Sequence, residues 1–448
     1  MPHHGHTRLL SALVSALLVA GCSSGPAEDG AEAADTGWAD TAVNAVSKPV
    51  TGTGVTAVTG LKADGTLETA VYDVTNGRRL WTRPATMVGR LTGMGVQPPA
   101  VTDGLVVALE PQKTGKWNAT LVARDARTGA QKWTRPVDST FGPVRCGPAV
   151  CLSEFTARRT ARFVALDQAT GRALWKIPGI AEVQQQPDAA RVVVFRMARH
   201  PTLESRDAAT GKAQWTFPVE RAVGRGVNLS GGWSFGAVGD KMLGYIAPYQ
   251  TRKGKKLSAF GFFGLDLAGG RQVWARPTLL RVYPSANPSV ALITRETTSK
   301  GGYGGFALLD PATGLSQVRI PATTPPKGAA WWLSFPADLS SIGFLSRDRA
   351  GAAFDLRQAR PAEAKGLRTW SFCTVDPPQL KITGQPAGFY PIAALCAYDL
   401  AAGKRSTVPG SPPAWYTGAV RGWRVWRDER GALHALRDGR GTVPGMYS

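Results

Sequence analysis

The chain has 448 residues, of which 43% are hydrophobic and 19% are charged, and its formal net charge is +21. This hydrophobic content is sufficient for a packed core and excludes a globally disordered protein. A cation excess of this size predicts attraction to anionic surfaces, the alternative being a basic surface without a dedicated partner.

Residues 1–21 have the pattern of an export signal. Arg8 precedes an apolar run over residues 9–20, which is too short to span a bilayer, because spanning requires roughly 20 apolar residues. The run ends in LVAGC at residues 18–22 and resembles the lipobox of bacterial lipoprotein signal peptides. The resemblance implies cleavage before Cys22, lipid attachment to its thiol, and an extracytoplasmic protein anchored to the cell membrane. The alternative is an ordinary signal peptide with an incidental cysteine.

Residues 22–47 are predicted to form an acidic, disordered tether. The segment contains five acidic residues, no Lys or Arg, and many Ala, Gly and Ser, so it cannot bury enough apolar surface to fold. With Arg8 and these acids set aside, residues 48–448 have a formal net charge of +25. Nucleic acid is the usual partner of such a charge, but export argues against it.

A module recurs from residue 71 onward, with an Asp, a Gly four residues later and a Trp after four more. Five copies are complete, a sixth has Val318 in place of the tryptophan, and a later copy has lost it. The motif residues are Asp73, Gly77, Trp81, Asp125, Gly129, Trp133, Asp167, Gly171, Trp175, Asp207, Gly211, Trp215, Asp266, Gly270, Trp274, Asp310, Gly314, Asp399 and Gly403. Asp355 lies midway in the last long interval and indicates a hidden module, and Asp438 marks a final fragment.

Each module predicts a strand, a turn and a second strand. The Asp side chain accepts hydrogen bonds from turn N–H groups, and the Gly supplies a positive φ. A period of about 40–50 residues with short strands is typical of four-stranded propeller blades. The fold class is therefore all-β, a β-propeller over residues 48–448 with eight blades, or seven if the Asp355 module is an insertion. The Asp438 fragment is expected to complete a blade with strands near residues 53–61.

The form Ala-x-Asp-x-x-Thr-Gly-x-x-x-Trp resembles the pyrroloquinoline-quinone-type (PQQ-like) repeat, in which the tryptophan docks between neighbouring blades. One branch of these proteins comprises quinoprotein dehydrogenases, which hold PQQ and calcium in the central funnel. The other branch is noncatalytic and includes the lipoprotein of the outer-membrane barrel-assembly machinery. The chain is more similar to the noncatalytic branch, because it lacks the adjacent cysteines of quinoprotein alcohol dehydrogenases and its Asp residues serve turns.

Four cysteines follow Cys22, and an even number in an exported chain predicts two disulfides. Cys146 and Cys151 flank a predicted hairpin turn, and Cys373 with Cys396 follows by elimination. A metal site is the alternative, but only His200 and His434 remain after signal cleavage and no paired short cysteine spacing exists. No metal is therefore predicted.

The long interval between Asp207 and Asp266 contains four cations, Arg252, Lys253, Lys255 and Lys256. With Tyr245 and Tyr249 as aromatic shoulders, it predicts a hairpin tip that contacts an anionic surface, the alternative being a solvated loop. Trp331 and Trp332 form a second candidate contact patch.

No nucleophile elbow, phosphate-binding loop or metalloprotease motif occurs in the sequence. His434 is interpreted as an ordinary strand residue. We expect no catalytic residue and no cofactor, and a membrane-anchored scaffold that binds an envelope protein or an anionic polymer but not nucleic acid. The alternative is a quinoprotein-type oxidoreductase that binds PQQ and calcium.

Overall fold

The computed structural model describes residues 19–20, 37–87, 96–112, 119–156, 160–250, 257–279, 282–284, 292–297, 303–324, 332–336, 340–346, 351–374, 382, 393–406, 412, 417, 419–439 and 441. The chain divides into two compact units. The N-terminal unit comprises residues 23–219, 374–393 and 418–448, and the central unit comprises residues 1–22, 220–373 and 394–417.

The N-terminal unit contains four sheets of four consecutive antiparallel strands. Sheet 1 consists of Val50–Gly52, Val55–Leu61, Leu67–Asp73 and Arg79–Ala85. Sheet 2 consists of Ala100–Val101, Leu105–Pro111, Ala119–Asp125 and Gln131–Val137. Sheet 3 consists of Ser139–Cys146, Ala149–Phe155, Ala161–Asp167 and Ala173–Pro178. Sheet 4 consists of Ile180–Asp188, Arg191–Met197, Thr202–Asp207 and Ala213–Pro218.

The central unit continues the same pattern. Sheet 5 consists of Trp233–Val238, Lys241–Ile246, Gly261–Asp266 and Gln272–Pro277, with Val19–Ala20 parallel to its first strand. Sheet 6 consists of Val282–Pro284, Leu292–Thr297, Tyr303–Leu309 and Ser316–Ile320. Sheet 7 consists of Trp332–Ser334, Ser341–Leu345, Ala352–Asp355 and Arg360–Ala362, and sheet 8 of Arg368–Thr374, Ala393–Asp399 and Lys404–Arg405. The described helices are Glu220–Val223 and the 3₁₀ turn Leu229–Gly231.

The predicted all-β fold, a β-propeller with eight blades, is confirmed. A further three-stranded sheet joins the two ends of the chain. Each of the eight Asp residues used to count the modules lies at the end of a strand in its own sheet, or one residue beyond it. Asp355 ends a strand of sheet 7, so its module is a blade of its own and not an insertion. In the part of the chain that the structure describes, no helix is long and apolar enough to cross a membrane.

Apolar side chains fill the layers between neighbouring sheets. Val107 and Leu121 of sheet 2 pack with Val150 and Leu166 of sheet 3 in one buried cluster. On its other face, sheet 3 packs against sheet 4 through a second cluster. Because both faces of these sheets are covered, their central strands are apolar at successive positions; burying each large side chain contributes about 1.5–3 kcal/mol.

The terminal sheet joins the two ends of the chain and corrects two expectations. It consists of Trp423–Arg427, Leu433–Arg437 and Gly37–Asp40. Gly37 pairs with Leu436 and Asp40 with Leu433. The predicted disordered tether therefore extends too far, because residues 37–40 gain strand pairing and burial on a free sheet edge. The prediction that residues 53–61 complete the Asp438 fragment is also wrong, since those residues form strands of sheet 1.

Candidate functional site

The eight predicted Asp residues form closed turns, which we call Asp turns. In each, a carboxylate oxygen accepts a backbone N–H two or three residues later over 2.7–3.0 Å. The seven motif glycines have φ between +62° and +71°, which favours glycine. Hydrogen bonds from the side chain and backbone of Thr210 lower the pKa of Asp207. These carboxylates are committed to the turns.

Four of the five motif tryptophans link their sheet to the next one in the same unit. Their indole N–H groups donate to the carbonyl of the residue that follows the next motif Asp. The pairs are Trp81 to Ala126, Trp133 to Gln168, Trp175 to Ala208 and Trp274 to Pro311, over 2.8–3.0 Å. The rings cover the glycines of these turns so closely that a Cβ atom on Gly171 would lie 2.6 Å from the Trp133 ring. Trp215 is also buried, with 9% of its surface exposed.

Trp38 is a further member of this set that the sequence analysis missed. Its indole N–H donates to the Val74 carbonyl over 2.7 Å, and its ring covers Gly77. The module to which it belongs is split between the two ends of the chain, so no Asp and Gly precede it. A single large aromatic residue in an otherwise small and acidic segment was the available signal.

A polar cluster holds the N-terminal strand against sheet 1. The buried Tyr72 hydroxyl donates to Asp40 over 2.9 Å, and Arg79 lies 2.6 Å from the same carboxylate. The Trp38 and Tyr72 rings stack with centroids 5.8 Å apart. Burial opposes ionisation of Asp40, but hydrogen bonds from Arg79, the Ala42 N–H and Tyr72 outweigh it, so the Asp40 pKa is lowered. Burial, together with the Asp40 carboxylate, raises the pKa of Tyr72.

Two glutamates are almost fully buried between arginines, which the sequence analysis also missed. Glu154 lies 2.5 Å from Arg135 and 2.6 Å from Arg162. Glu204 lies 3.1 Å from Arg196 and 2.5 Å from Arg206. Buried charges persist in proteins only when they are paired in this way. These carboxylates are therefore structural. The sequence did not reveal the pairs, because Arg135, Arg162 and Arg196 lie on other strands than the glutamates they contact.

The predicted disulfide between Cys146 and Cys151 is confirmed, with Cα atoms 5.9 Å apart across the first turn of sheet 3. Cys396 is also disulfide-bonded. The side chain of its predicted partner, Cys373, lies outside the described residues.

His434 is a strand residue of the terminal sheet. Its Nε2 lies 3.0 Å from Asp428, and its ring stacks on Trp426. Burial of Asp428 opposes its ionisation, but hydrogen bonds from His434 and from backbone N–H groups outweigh it and lower the Asp428 pKa. Among the described residues, no group of three or more His, Cys, Asp or Glu side chains could hold a metal ion.

The four cations of the predicted hairpin tip, Arg252, Lys253, Lys255 and Lys256, lie outside the described residues. The described residues on either side, Gln250 and Leu257, form an isolated antiparallel bridge. Tyr245, expected as an aromatic shoulder, is instead a core residue of sheet 5 with 3% exposure. Trp331 and the side chain of Trp332 also lie outside the described residues.

Comparison with known proteins identifies one sequence family. The model of the family described as outer membrane protein assembly factor BamB matches residues 27–217 and 147–278, which together exceed half of the chain. No curated protein matches the sequence.

Several solved structures resemble the chain at low identity. BamB from Moraxella catarrhalis is 12% identical over 90% of this chain and 98% of its own, with a TM-score of 0.45. Quinohemoprotein alcohol dehydrogenase from Comamonas testosteroni is 14% identical over 88% of this chain and 67% of its own, with a TM-score of 0.36. Saccharomyces cerevisiae Sqt1 is 7% identical over 88% and 95%, with a TM-score of 0.41. At these scores the structural likenesses carry no argument about function.

Proposed function

Because the chain belongs to the family of outer membrane protein assembly factor BamB, we propose that it is a noncatalytic scaffold that binds another protein of the cell envelope. The fold alone does not decide this, since one fold hosts many functions. Family membership is the observation that carries the proposal, and the geometry of the modules supports it.

The support lies in how the reactive side chains are used. The Asp carboxylates bind their own turns, the indoles bind neighbouring sheets, and Glu154 and Glu204 are paired with arginines. Such a framework holds exposed loops in fixed positions, which favours recognition of a macromolecule over chemistry on a small substrate. In this proposal the protein uses no cofactor.

Photo-crosslinking in intact cell envelopes tests the proposal. A photoreactive amino acid is placed singly at exposed positions of the outer strands, such as Thr134, Lys176 and Thr216. We expect one discrete envelope protein to crosslink at a contiguous subset of positions, with the unmodified chain as control. Adducts to a wall polymer alone, or no adduct at any position, would contradict a protein partner.

We also propose that Cys22 carries the lipid anchor that keeps the scaffold at a membrane. The lipobox-like sequence at residues 18–22 supports this assignment. Cells fed an alkyne-bearing fatty acid should label the wild-type protein and retain it in the membrane fraction. Cys22→Ser should abolish the label, and equal labelling of the two chains would exclude this anchor.

A further inference from the structure

We propose that one face of the N-terminal unit binds an anionic membrane surface. This Asp-turn face consists of the first-to-second strand turns and the Asp turns of sheets 1–4, together with Arg421, Arg437 and Asp438 of the terminal sheet. It goes beyond binding of a protein partner, and it differs from the loop at residues 252–256 that the sequence analysis selected.

The turns that make up this face lie at one end of each sheet and touch in succession. The residue after the Asp donates its N–H to the first-to-second strand turn of the same sheet, as Ala126 does to Gly104 over 2.9 Å and Ala208 to Ala190 over 2.7 Å. Between sheets, Arg127 pairs with Asp73 over 3.2 Å. The indole of each motif tryptophan adds a further link at the same end. The turns therefore form a continuous surface.

This surface presents cations that the rest of the fold does not use. The residue directly after the turn glycine is Arg78 in sheet 1, Arg172 in sheet 3 and Lys212 in sheet 4. All three side chains are exposed, and none has an ion pair among the described residues. Arg421 and Arg437, next to the end of the terminal sheet, are exposed and unpaired in the same sense. A repeated exposed charge without a structural partner is available to an external anion.

The acids on the same face do not cancel these cations. The exposed Asp103 pairs with Arg145 over 3.2 Å, and Asp188 pairs with Arg191 over 2.7 Å. Asp73, Asp125 and Asp438 are neutralised by Arg127, Lys132 and Arg424. Asp167 and Asp207 keep a negative charge that no ion pair among the described residues offsets. The five unpaired cations exceed these two carboxylates by three, so the surplus charge on this face is positive, and anionic headgroups are its natural counterpart outside the cytoplasm.

The position of the N-terminal strand orients the same face toward the membrane, a step that rests on the proposed lipid at Cys22. Gly37 pairs with Leu436, one residue before Arg437, so the chain enters the fold at the Asp-turn face. The 14 residues between Cys22 and Gly37 can span at most about 50 Å when fully extended. The proposed lipid anchor and the unpaired cations therefore both lie at the Asp-turn face, so both membrane contacts are on one side of the N-terminal unit.

Vesicle cosedimentation tests the proposal without the lipid. The mature chain, residues 22–448 with Cys22→Ser, is mixed with vesicles of phosphatidylglycerol or of phosphatidylcholine. We expect binding to phosphatidylglycerol only, and weaker binding as salt is raised. If the chain does not bind phosphatidylglycerol vesicles, the proposal is overturned. This holds even if the cause is that the chain's own acidic segment covers the face.

A matched pair of triple variants locates the contact. Arg78→Gln, Arg172→Gln and Lys212→Gln together should weaken phosphatidylglycerol binding by roughly 100-fold, since each basic residue near an anionic membrane contributes about fivefold. Arg83→Gln, Lys176→Gln and Arg199→Gln remove the same charge from exposed positions outside the face and should change binding by less than about threefold. Equal losses would show that net charge alone drives binding and would overturn the proposal. Matching unfolding midpoints establish that both variants fold. If the vesicle experiments fail, the proposed protein partner is unaffected, because the crosslinking experiment tests it separately.

Discussion

The glycine of each Asp turn has a packing role in addition to its conformational one. Gly171 has φ of +69°, and a Cβ atom there would lie 2.6 Å from the Trp133 ring. The Trp133 indole can reach the neighbouring carbonyl only because Gly171 has no side chain. Residue identity at the turn thus controls how closely two sheets approach.

Gly171→Ala is therefore expected to destabilise the protein by about 3 kcal/mol, because strain at positive φ adds to a clash with the wedge tryptophan. Gly179→Ala is the matched control, since Gly179 has φ of +88° but nothing within 4 Å of an added Cβ. It should cost only about 1 kcal/mol. Urea unfolding measures both changes, and equal losses would contradict the packing role.

The Asp40 cluster predicts a pH dependence. The Asp40 pKa is lowered in the folded protein, so its contribution is present above the unfolded pKa of about 3.9 and is lost as pH falls through the lower folded value. Asp40→Asn should cost about 1–2 kcal/mol at pH 7, because Tyr72 and Arg79 lose a charged acceptor. The cost should shrink below pH 4 in urea unfolding. A cost that is independent of pH would contradict the ionised pair.

At the scale of elements, the outer strands share a feature that limits association. The fourth strands of sheets 1–5 have Pro three residues after the motif Trp, at Pro84, Pro136, Pro178, Pro218 and Pro277. These strands are sheet edges, and Pro lacks the N–H that another chain would need for pairing. The Trp-x-x-Pro spacing was readable in the sequence and would have identified the outer strand of each blade.

The N-terminal strand is predicted to be an integral element. Trp38→Ala should destabilise the protein by about 3 kcal/mol, because it removes the stack on Tyr72 and the bond to Val74. Leu174→Ala removes an apolar side chain that is 46% exposed and should cost less than about 0.5 kcal/mol. If Trp38→Ala were as mild as the control in urea unfolding, residues 37–40 would be part of the tether after all.

The disulfide of sheet 3 closes a short loop, so its expected contribution is modest. Cys146→Ala combined with Cys151→Ala should lower the free energy of unfolding by about 2 kcal/mol. Reducing agent should lower the stability of the wild type by more than that of the double variant, which keeps the disulfide at Cys396. A double variant as stable as the oxidised wild type would show that the bridge is dispensable.

How much of the fold was predictable depended on the distance along the chain between interacting residues. The Asp, Gly and Trp of one module lie within nine residues, and so the sheets could be counted from the sequence. Trp38 and Asp438 belong to one sheet but lie at opposite ends of the chain, so their pairing could not be read. Three of the four arginines that pair with Glu154 and Glu204 also lie on other strands, which hid the burial of these acids.

For the whole molecule, the formal charge of +21 indicates a binding surface only when the positions of the unpaired cations are known. Many arginines form ion pairs within the fold, for example with Asp40, Glu154 and Glu204. The cations that remain on the Asp-turn face would add a second, weak membrane contact to the proposed lipid anchor. Two contacts on one side restrict orientation and leave the remaining loops available to a protein partner.

The central claim is that this propeller acts by binding a macromolecule and not by quinone chemistry. The most direct test is an absorbance titration of the purified protein with PQQ and calcium, in the presence of alcohols and an electron-accepting dye. The account predicts no saturable change in the quinone spectrum and no reduction of the dye. A saturable spectral change accompanied by alcohol-dependent dye reduction would contradict it.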